Sequence, residues 1–345
     1  MTEAISMQEA IRRVTRHQHL TDAQMTDVMQ QIMTGQATPA QIGGFLIGLS
    51  MKGETVDEIA AAANVMRNLA TAVDIQGDHI IDTCGTGGDG ASSFNVSTAS
   101  AFVVAAAGAK VAKHGNRSIS STSGSADVLE AAGVNLDLTP DDVKHCIDSV
   151  GVGFMFAQKH HGAMKHAIGP RREMGVRTIF NLLGPLTNPA RAAHQVIGVF
   201  DKKWLRPMAE VLQKLGSKHV LIVHADDGMD EISIGSATHV AELNHNEIHC
   251  YTIQPEDFSI QRGDIKQLSV SNADESLRVI RDIFAGKLGP ARDIVLLNAG
   301  AAIYAADLAP SVAEGIAQAA QCIDNGTAMQ KLDALVHCSQ RQTQS

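Results

Sequence analysis

The chain has 345 residues, 44% hydrophobic and 19% charged, enough to bury the core of about two domains. Its 37 acidic residues outnumber 28 lysines and arginines, a net charge of −9, and its 9 Phe, 2 Tyr and 1 Trp are few. That balance excludes a general polyanion binder and a base-stacking platform, so no nucleic-acid partner is expected.

No apolar run approaches a membrane span, so no membrane partner is expected either. The polar start, with Glu3, Glu9, Arg12 and Arg13, is unlike a secretory signal. Five cysteines without a C-x-x-C pair fit a reducing, cytoplasmic setting.

Four helices are expected within residues 1–70. Ser6…Glu9, Thr21…Gln24, Thr38…Gln41 and Thr55…Glu58 each fit the capping pattern S/T-x-x-E/Q, and Pro39 occupies a first helical position. Apolar spacings of three and four follow, as at Ile42, Phe45, Leu46 and Leu49. From residue 79 strands and helices alternate. A strand over 79–84 leads through a loop to an Ala-rich helix over 97–107. A strand over 110–113, a polar loop, a helix to 132, a helix from 139 and a strand over 153–157 come next. Strands over 194–200 and 219–224 flank a helix over 203–215, and a hairpin joins 238–243 to 247–253. Helices over 274–286, 291–306 and 311–325 complete the reading, with 339–345 as a frayed tail. This alternation implies an α/β class, with a small helical amino-terminal domain and a larger domain on a mainly parallel sheet.

The charge is distributed unevenly. Residues 90–126 contain no Asp or Glu but keep Lys110, Lys113 and Arg117. Residues 159–200 carry Lys159, Lys165, Arg171, Arg172, Arg177 and Arg191 against Glu173 alone. Burial of a strand–helix unit would explain the missing acids but not the retained cations. A local site for a small anion is expected.

Two loops carry candidate chemistry. Gly85-Thr-Gly-Gly-Asp-Gly90 lies between a strand and a helix, where backbone N–H groups and the helix dipole favour an anion. It also fits G-x-G-x-x-G, but the acidic residue a Rossmann site wants about twenty positions on is missing. An NADP variant using Lys110 or Lys113 stays open, as does a structural turn. The second loop, Lys113-His-Gly-Asn-Arg-Ser-Ile-Ser-Ser121 with Thr122–Ser125, sets two cations, an amide and hydroxyls at a strand end, groups suited to phosphate oxygens. Asn95-Val-Ser-Thr98 adds hydroxyls at a helix start, either as a plain cap or for a ligand.

Taken in order, Gly85–Asp89, Asn95–Thr98, Lys113–Arg117, Arg177-Thr-Ile-Phe-Asn-Leu-Leu-Gly-Pro-Leu-Thr-Asn-Pro189 and Asp230-Glu231 resemble the anthranilate phosphoribosyltransferase family over roughly 1–335. The resemblance implies transfer of the 5-phosphoribosyl group from its 1-diphosphate (PRPP) to the amine of anthranilate, a step of tryptophan synthesis. It further implies Mg²⁺ dependence, a homodimer and a nucleoside-phosphorylase-like fold. Residues 1–70, with 160–190 packing on them, would form the helical domain; 71–159 and 191–345 would form the α/β domain. By motif position, PRPP would be held by Gly85, Gly88, Asp89, Ser93, Asn95, Val96, Ser97, Thr98, Lys113, His114, Gly115, Asn116, Arg117, Ser118, Ile119, Ser120, Ser121 and Ser125. Ser97, Asp230 and Glu231 would hold the metal. Gly85, Asn116 and Arg171 would hold anthranilate, with Lys113 and His114 as the expected catalytic residues.

The residue chemistry is compatible with this. Mg²⁺ keeps waters and uses one or two carboxylates plus substrate phosphates. An arginine forks onto a carboxylate, although the sequence does not separate Arg171 from Arg172. A structural role for His114 stays equally open among 15 histidines. Gln158 and Gly162 stand where the family commonly has Pro, and Ser93 where Thr is frequent. A pyrimidine-nucleoside phosphorylase of the same architecture is the nearest alternative.

Overall fold

The computed structural model describes residues 4–87, 92–118 and 123–341. Four helices open the chain: α1 (Met7–Val14), α2 (Asp22–Met33), α3 (Pro39–Lys52) and α4 (Val56–Leu69). Thr21, Thr38 and Thr55 each close a reciprocal cap with Gln24, Gln41 and Glu58, satisfying amides that a helix start leaves free. The first box is half made. Ser6 accepts from the Glu9 amide, but the Glu9 carboxylate turns to Arg12 and Arg13 instead.

The alternating part runs β1 (Ile80–Gly85), α5 (Val96–Ala106), β2 (Lys110–Gly115), α6 (Ser125–Ala131), α7 (Pro140–Val150) and β3 (Val152–Phe156). Helices α8 (Ala157–His160), α9 (Lys165–Met174) and α10 (Ile179–Leu186) occupy the basic window. Then come β4 (His194–Gly198), α11 (Leu205–Lys214), β5 (His219–Ala225), β6 (Thr238–Asn244) and β7 (Glu247–Ile253). Helices α12 (Ala273–Phe284), α13 (Pro290–Ala305), α14 (Val312–Asp324) and α15 (Thr327–Arg341) finish the chain. The last corrects the expected tail over 339–341, while 342–345 lie outside the described residues. Ser339 lies inside α15, fully buried, and its hydroxyl accepts from the Asn135 amide at 3.0 Å. Leu332 and Leu335 hold this helix in the core, an apolar anchor that outweighs its polar composition.

The strand order is β3-β2-β1-β4-β5-β6-β7. The first five strands are parallel, and β6 and β7 are antiparallel. The chain leaves β1 toward β2 and β3, then returns to pair β4 on the other side of β1. The carboxyl ends of β1 and β4 therefore flank a topological switch point, the place where open α/β sheets bind ligands.

Alternation along the strands feeds two apolar clusters. Val196, Leu221 and Val223 face a cluster with α5, α7, α13 and α15. Ile197, Val220 and Ile222 face the other way, into a cluster that joins Met208 and Leu212 of α11, Phe180 and Leu183 of α10 and the core of α1–α4. The helical bundle thus shares a core with one face of the sheet.

Opposite the switch point, histidines at strand starts tie down α13. His194 Nδ1 lies 2.7 Å from the Ala305 carbonyl and His219 Nδ1 2.7 Å from Asp307. His219 Nε2 is 3.1 Å from Glu242, whose carboxylate also accepts the hydroxyls of Tyr304 (2.6 Å) and Tyr251 (2.7 Å). Burial alone would lower the His219 pKa, but the bonds to Glu242 and Asp307 hold it above 6.5. Burial likewise opposes ionisation of Glu242, yet its hydrogen bonds from His219, Tyr304 and Tyr251 bring it to about 2. A raised histidine contributes stability that is complete below its unfolded pKa and is lost as pH rises through the folded value. The stability gap between the native chain and His219→Gln, read by urea unfolding, should therefore shrink between about pH 6 and about pH 8. A gap constant across that range would refute the charged pair.

Candidate active site

The floor of the site begins with a carboxylate in β1 that the sequence reading did not single out. Asp82 is fully buried. One oxygen accepts the His114 amide at 3.1 Å, and the other accepts Asn188 Nδ2 at 2.8 Å. Asn188 also donates to the Ala112 carbonyl at 2.9 Å, so the turn after α10 is fastened to β1 and β2 together. Burial raises the Asp82 pKa, against the pull of Lys113, Asn188 and the His114 amide. Lys113 is 3% exposed. Its ammonium donates to the Thr83 carbonyl at 2.5 Å and lies 3.4 Å from the Ser97 hydroxyl. Burial lowers its pKa, while Asp82, Cys84 and Glu231 oppose that shift.

Above this floor two acids close over the strand ends. Asp230 Oδ2 accepts the Gly87 amide at 2.7 Å, and Glu231 Oε1 accepts the Ser97 amide at 3.1 Å, at the start of α5. Glycine is required beneath them. Gly85 and Gly198 are register partners at the ends of β1 and β4. A Cβ on Gly85 would lie 2.2 Å from Asp230 Oδ2, and one on Gly198 would lie 1.6 Å from the Asp230 carbonyl oxygen. The fold therefore brings Gly85, Ser97, Lys113, Asp230 and Glu231 to one place. Two carboxylates and a hydroxyl form an all-oxygen donor set, the chemistry of a hard cation. Among the described residues no group of three or more His, Cys, Asp or Glu could hold a metal ion. The set fits Mg²⁺, which fills its remaining positions with water and substrate phosphate.

The other expected residues fall into separate groups. Asn95 Oδ1 accepts the hydroxyls of Ser123 and Ser276, each at 2.9 Å, joining the start of α5 to the second loop and α12. Val96 and Thr98 are 1% exposed and turn their side chains into the core. Ser93 pairs with Ser269 in an isolated bridge. Gly115 packs so closely on Ser125 that a Cβ would meet its hydroxyl at 2.1 Å. Asn116 is exposed, and its side-chain oxygen accepts the Arg117 amide at 2.8 Å and Gln158 Nε2 at 3.4 Å. Arg117 grips Glu130 with both nitrogens (2.7 and 2.8 Å) and Asp127 at 3.1 Å, while the Ser118 amide donates to Asp127 at 3.0 Å. The acid-free window ends at Ala126, and Asp127, the next residue, turns back onto its cation. Gly88, Asp89, Ile119, Ser120 and Ser121 lie outside the described residues.

His114 faces the 160–190 segment. Its Nε2 lies 3.2 Å from His161 Nε2, with ring centroids 5.0 Å apart. Burial, then His161 and His160, push the His114 pKa well below 6.5, and burial brings His161 to about 4. Both rings are neutral at neutral pH, so one donates and the other accepts. On α9, Arg171 is half-buried with its guanidinium 5.0 Å from the Phe180 ring centre, and burial lowers its pKa. Arg172 is exposed, so the structure separates the neighbours that the sequence left equivalent. Gly162 has open space where a side chain would stand. Asp82, Thr83, His161 and Ser276 gave no motif signal; Asn188 stood inside the quoted Arg177–Pro189 string without being singled out.

Comparison with known proteins agrees with this architecture along its length. Residues 8–70 match the glycosyl transferase family's helical bundle domain, and residues 77–329 its a/b domain. The anthranilate phosphoribosyltransferase of Thioalkalivibrio sulfidiphilus (strain HL-EbGR7) is 64% identical over 332 residues, covering 96% of this chain and 98% of its own. That of Alkalilimnicola ehrlichii (strain ATCC BAA-1101 / DSM 17681 / MLHE-1) is 64% identical over 335 residues, covering 97% and 99%. The crystal structure of the enzyme from Thermus thermophilus superposes with a TM-score of 0.92 at 41% identity, covering 96% of this chain and 99% of that one. The Saccharomyces cerevisiae enzyme, solved in complex with PRPP and Mg, shares the fold with a TM-score of 0.88 at 24% identity, covering 97% and 98%. With near-complete coverage at this identity and both domain matches in order, the chain belongs to the anthranilate phosphoribosyltransferase family.

Proposed function

We propose that the switch-point cleft binds PRPP and anthranilate and that the residues gathered there carry out phosphoribosyl transfer. The activity is transfer of the 5-phosphoribosyl group from PRPP to the amine of anthranilate, giving N-(5-phosphoribosyl)anthranilate and diphosphate, in tryptophan biosynthesis. One observation carries the site assignment: Asp230 accepts the Gly87 amide and Glu231 the Ser97 amide, and the buried Lys113 ammonium lies 3.4 Å from the hydroxyl of the same Ser97.

In this reading Ser97, Asp230 and Glu231 would hold Mg²⁺, and the ion when bound would supply positive charge for the departing diphosphate. Lys113 lies 3.4 Å from the Ser97 hydroxyl, so its positive charge would stabilise the developing negative charge without having to move. PRPP lies along Gly85, Gly88, Asp89, Ser93, Asn95–Thr98, Lys113–Ser121 and Ser125. The ribose C1 passes through an oxocarbenium-like state, and the neutral arylamine attacks it from the far side. An arylamine is nucleophilic without deprotonation, so positioning outweighs any strong base. His114, held neutral by burial and His161, contributes a hydrogen bond rather than a proton. Arg171 would fork onto the anthranilate carboxylate, with Gly85 and Asn116 as the further proposed anthranilate contacts.

Residues 1–70, with 160–190, act as the helical domain and form the face of a homodimer. Ile47 and Met51 on α3, with Ile168 and Val176 near α9, supply exposed apolar groups for that contact. A monomer mass by light scattering at micromolar concentration would refute the dimer. The cytoplasm is the proposed location; no helix among the described residues is long and apolar enough to cross a membrane.

The deciding assay mixes the purified chain with Mg²⁺, PRPP and anthranilate and follows loss of anthranilate fluorescence. Turnover is expected, and phosphorolysis of thymidine or uridine in its place would overturn the reading. In the same assay Arg171→Ala should raise the KM for anthranilate about 10- to 100-fold with little change for PRPP, the loss of a charge-assisted bond. Replacing Asp230 by Asn together with Glu231 by Gln should move the Mg²⁺ activation midpoint at least about tenfold upward, since the shell loses both charged oxygens. An unchanged Mg²⁺ titration would remove the pair from the metal site.

A further inference from the structure

Cys146 on α7 and Cys338 on α15 are 192 residues apart in the chain, yet their sulfurs lie 3.0 Å from each other. A disulfide bond is about 2.05 Å long, so about 1 Å of closure separates this contact from a covalent bond. The two helices are already pinned near the pair. Lys331 of α15 donates to the Val150 carbonyl at the end of α7 at 2.5 Å, and Ser339 accepts from Asn135 at 3.0 Å. The pair is also graded in access. Cys146 is fully buried, whereas Cys338 is half-buried, with the exposed Ser149 hydroxyl 3.8 Å from its sulfur. The remaining cysteines, Cys84, Cys250 and Cys322, lie on β1, β7 and α14.

We propose that Cys146 and Cys338 form a redox-responsive clasp, closing to an intrachain disulfide under a small-molecule disulfide oxidant and opening to two thiols under reduction. The reaction runs in two exchanges. The thiolate of Cys338, the sulfur nearer solvent, attacks one sulfur of the oxidant and expels the first small thiol, leaving a mixed disulfide. The Cys146 sulfur then attacks Cys338, forms the protein disulfide and expels the second small thiol. Two protein thiols lose two electrons and two protons, and one small disulfide becomes two thiols. Burial pushes the Cys146 thiol up, which makes it a poor first nucleophile, and its 3.0 Å contact with Cys338 is what suits it to the resolving step.

The clasp closes a loop of more than half the chain and fastens α15, which packs on α5 as well as on α7. Its sulfurs belong to α7 and α15, whereas the proposed substrate site gathers at the carboxyl ends of β1 and β4. Its expected effect is on stability, because a cross-link restricts the unfolded chain more as the loop lengthens.

The test uses the full chain in glutathione buffers of graded oxidised-to-reduced ratio. Thiols counted in denaturant should fall from five to three, with Cys146 linked to Cys338 in the peptide map. The Tm should rise by about 3–7 °C and return on adding dithiothreitol, with turnover changed less than about twofold. Cys338→Ser and, separately, Cys146→Ala should each abolish the Tm shift. Five thiols persisting at oxidising ratios would overturn the proposal. So would a glutathione adduct resting on Cys338 with Cys146 still free, or a linked protein whose Tm does not move.

Discussion

The site depends on one close approach, the seating of Asp230 on the glycine ends of two neighbouring parallel strands. Gly85 and Gly198 pair across β1 and β4, and the Asp230 backbone and carboxylate occupy the space that side chains there would fill. That contact sets the height of the acidic loop above the sheet. At this height Asp230 reaches the Gly87 amide and Glu231 the Ser97 amide. Amides at a loop and a helix start would otherwise face an anion directly. Here two of them hold carboxylates in place, which sets two acidic side chains at the strand ends.

The charges around this contact compensate one another in a small volume. Lys113 is buried among Asp82, Glu231 and the Thr83 carbonyl, and Asp82 is buried with Lys113, Asn188 and the His114 amide. Neither charge would be tolerable alone away from water. Each is kept by the other and by hydrogen bonds. The same network reaches the walls. Asn188 fastens the turn after α10 to the sheet, and the neutral His114–His161 pair joins β2 to the segment following α8. With α11 and α4 in a shared core, the helical wall is held from both sides.

What could be read in advance followed how local its cause was. Threonine caps at Thr21, Thr38 and Thr55 are three-residue devices, and they formed as their spacing implied. Strand and helix alternation was legible for the same reason. Arg117 looked like a free cation because the acid-free window was counted to Ala126, one residue short of the acid that binds it. Arg171 and Arg172 are equivalent in sequence and are separated only by the aromatic ring of Phe180 on the next helix. Asp82 gave no signal at all, since an acid in a short strand has no meaning until its partners on β2 and after α10 are known.

By itself the sequence determined the caps, the order of elements, the glycine loops and the family resemblance, all of which rest on neighbouring residues or on motifs taken in order. Only the tertiary structure decided which charges meet. Gly87 and Asp230 are 143 residues apart, and Ser97 and Glu231 are 134 apart. Strand order and the path of a loop bring such pairs together, and spacing along the chain does not encode either. The negative net charge described the surface; the crossing at β1 and β4 decided where positive charge, carboxylates and bare backbone would share one cleft.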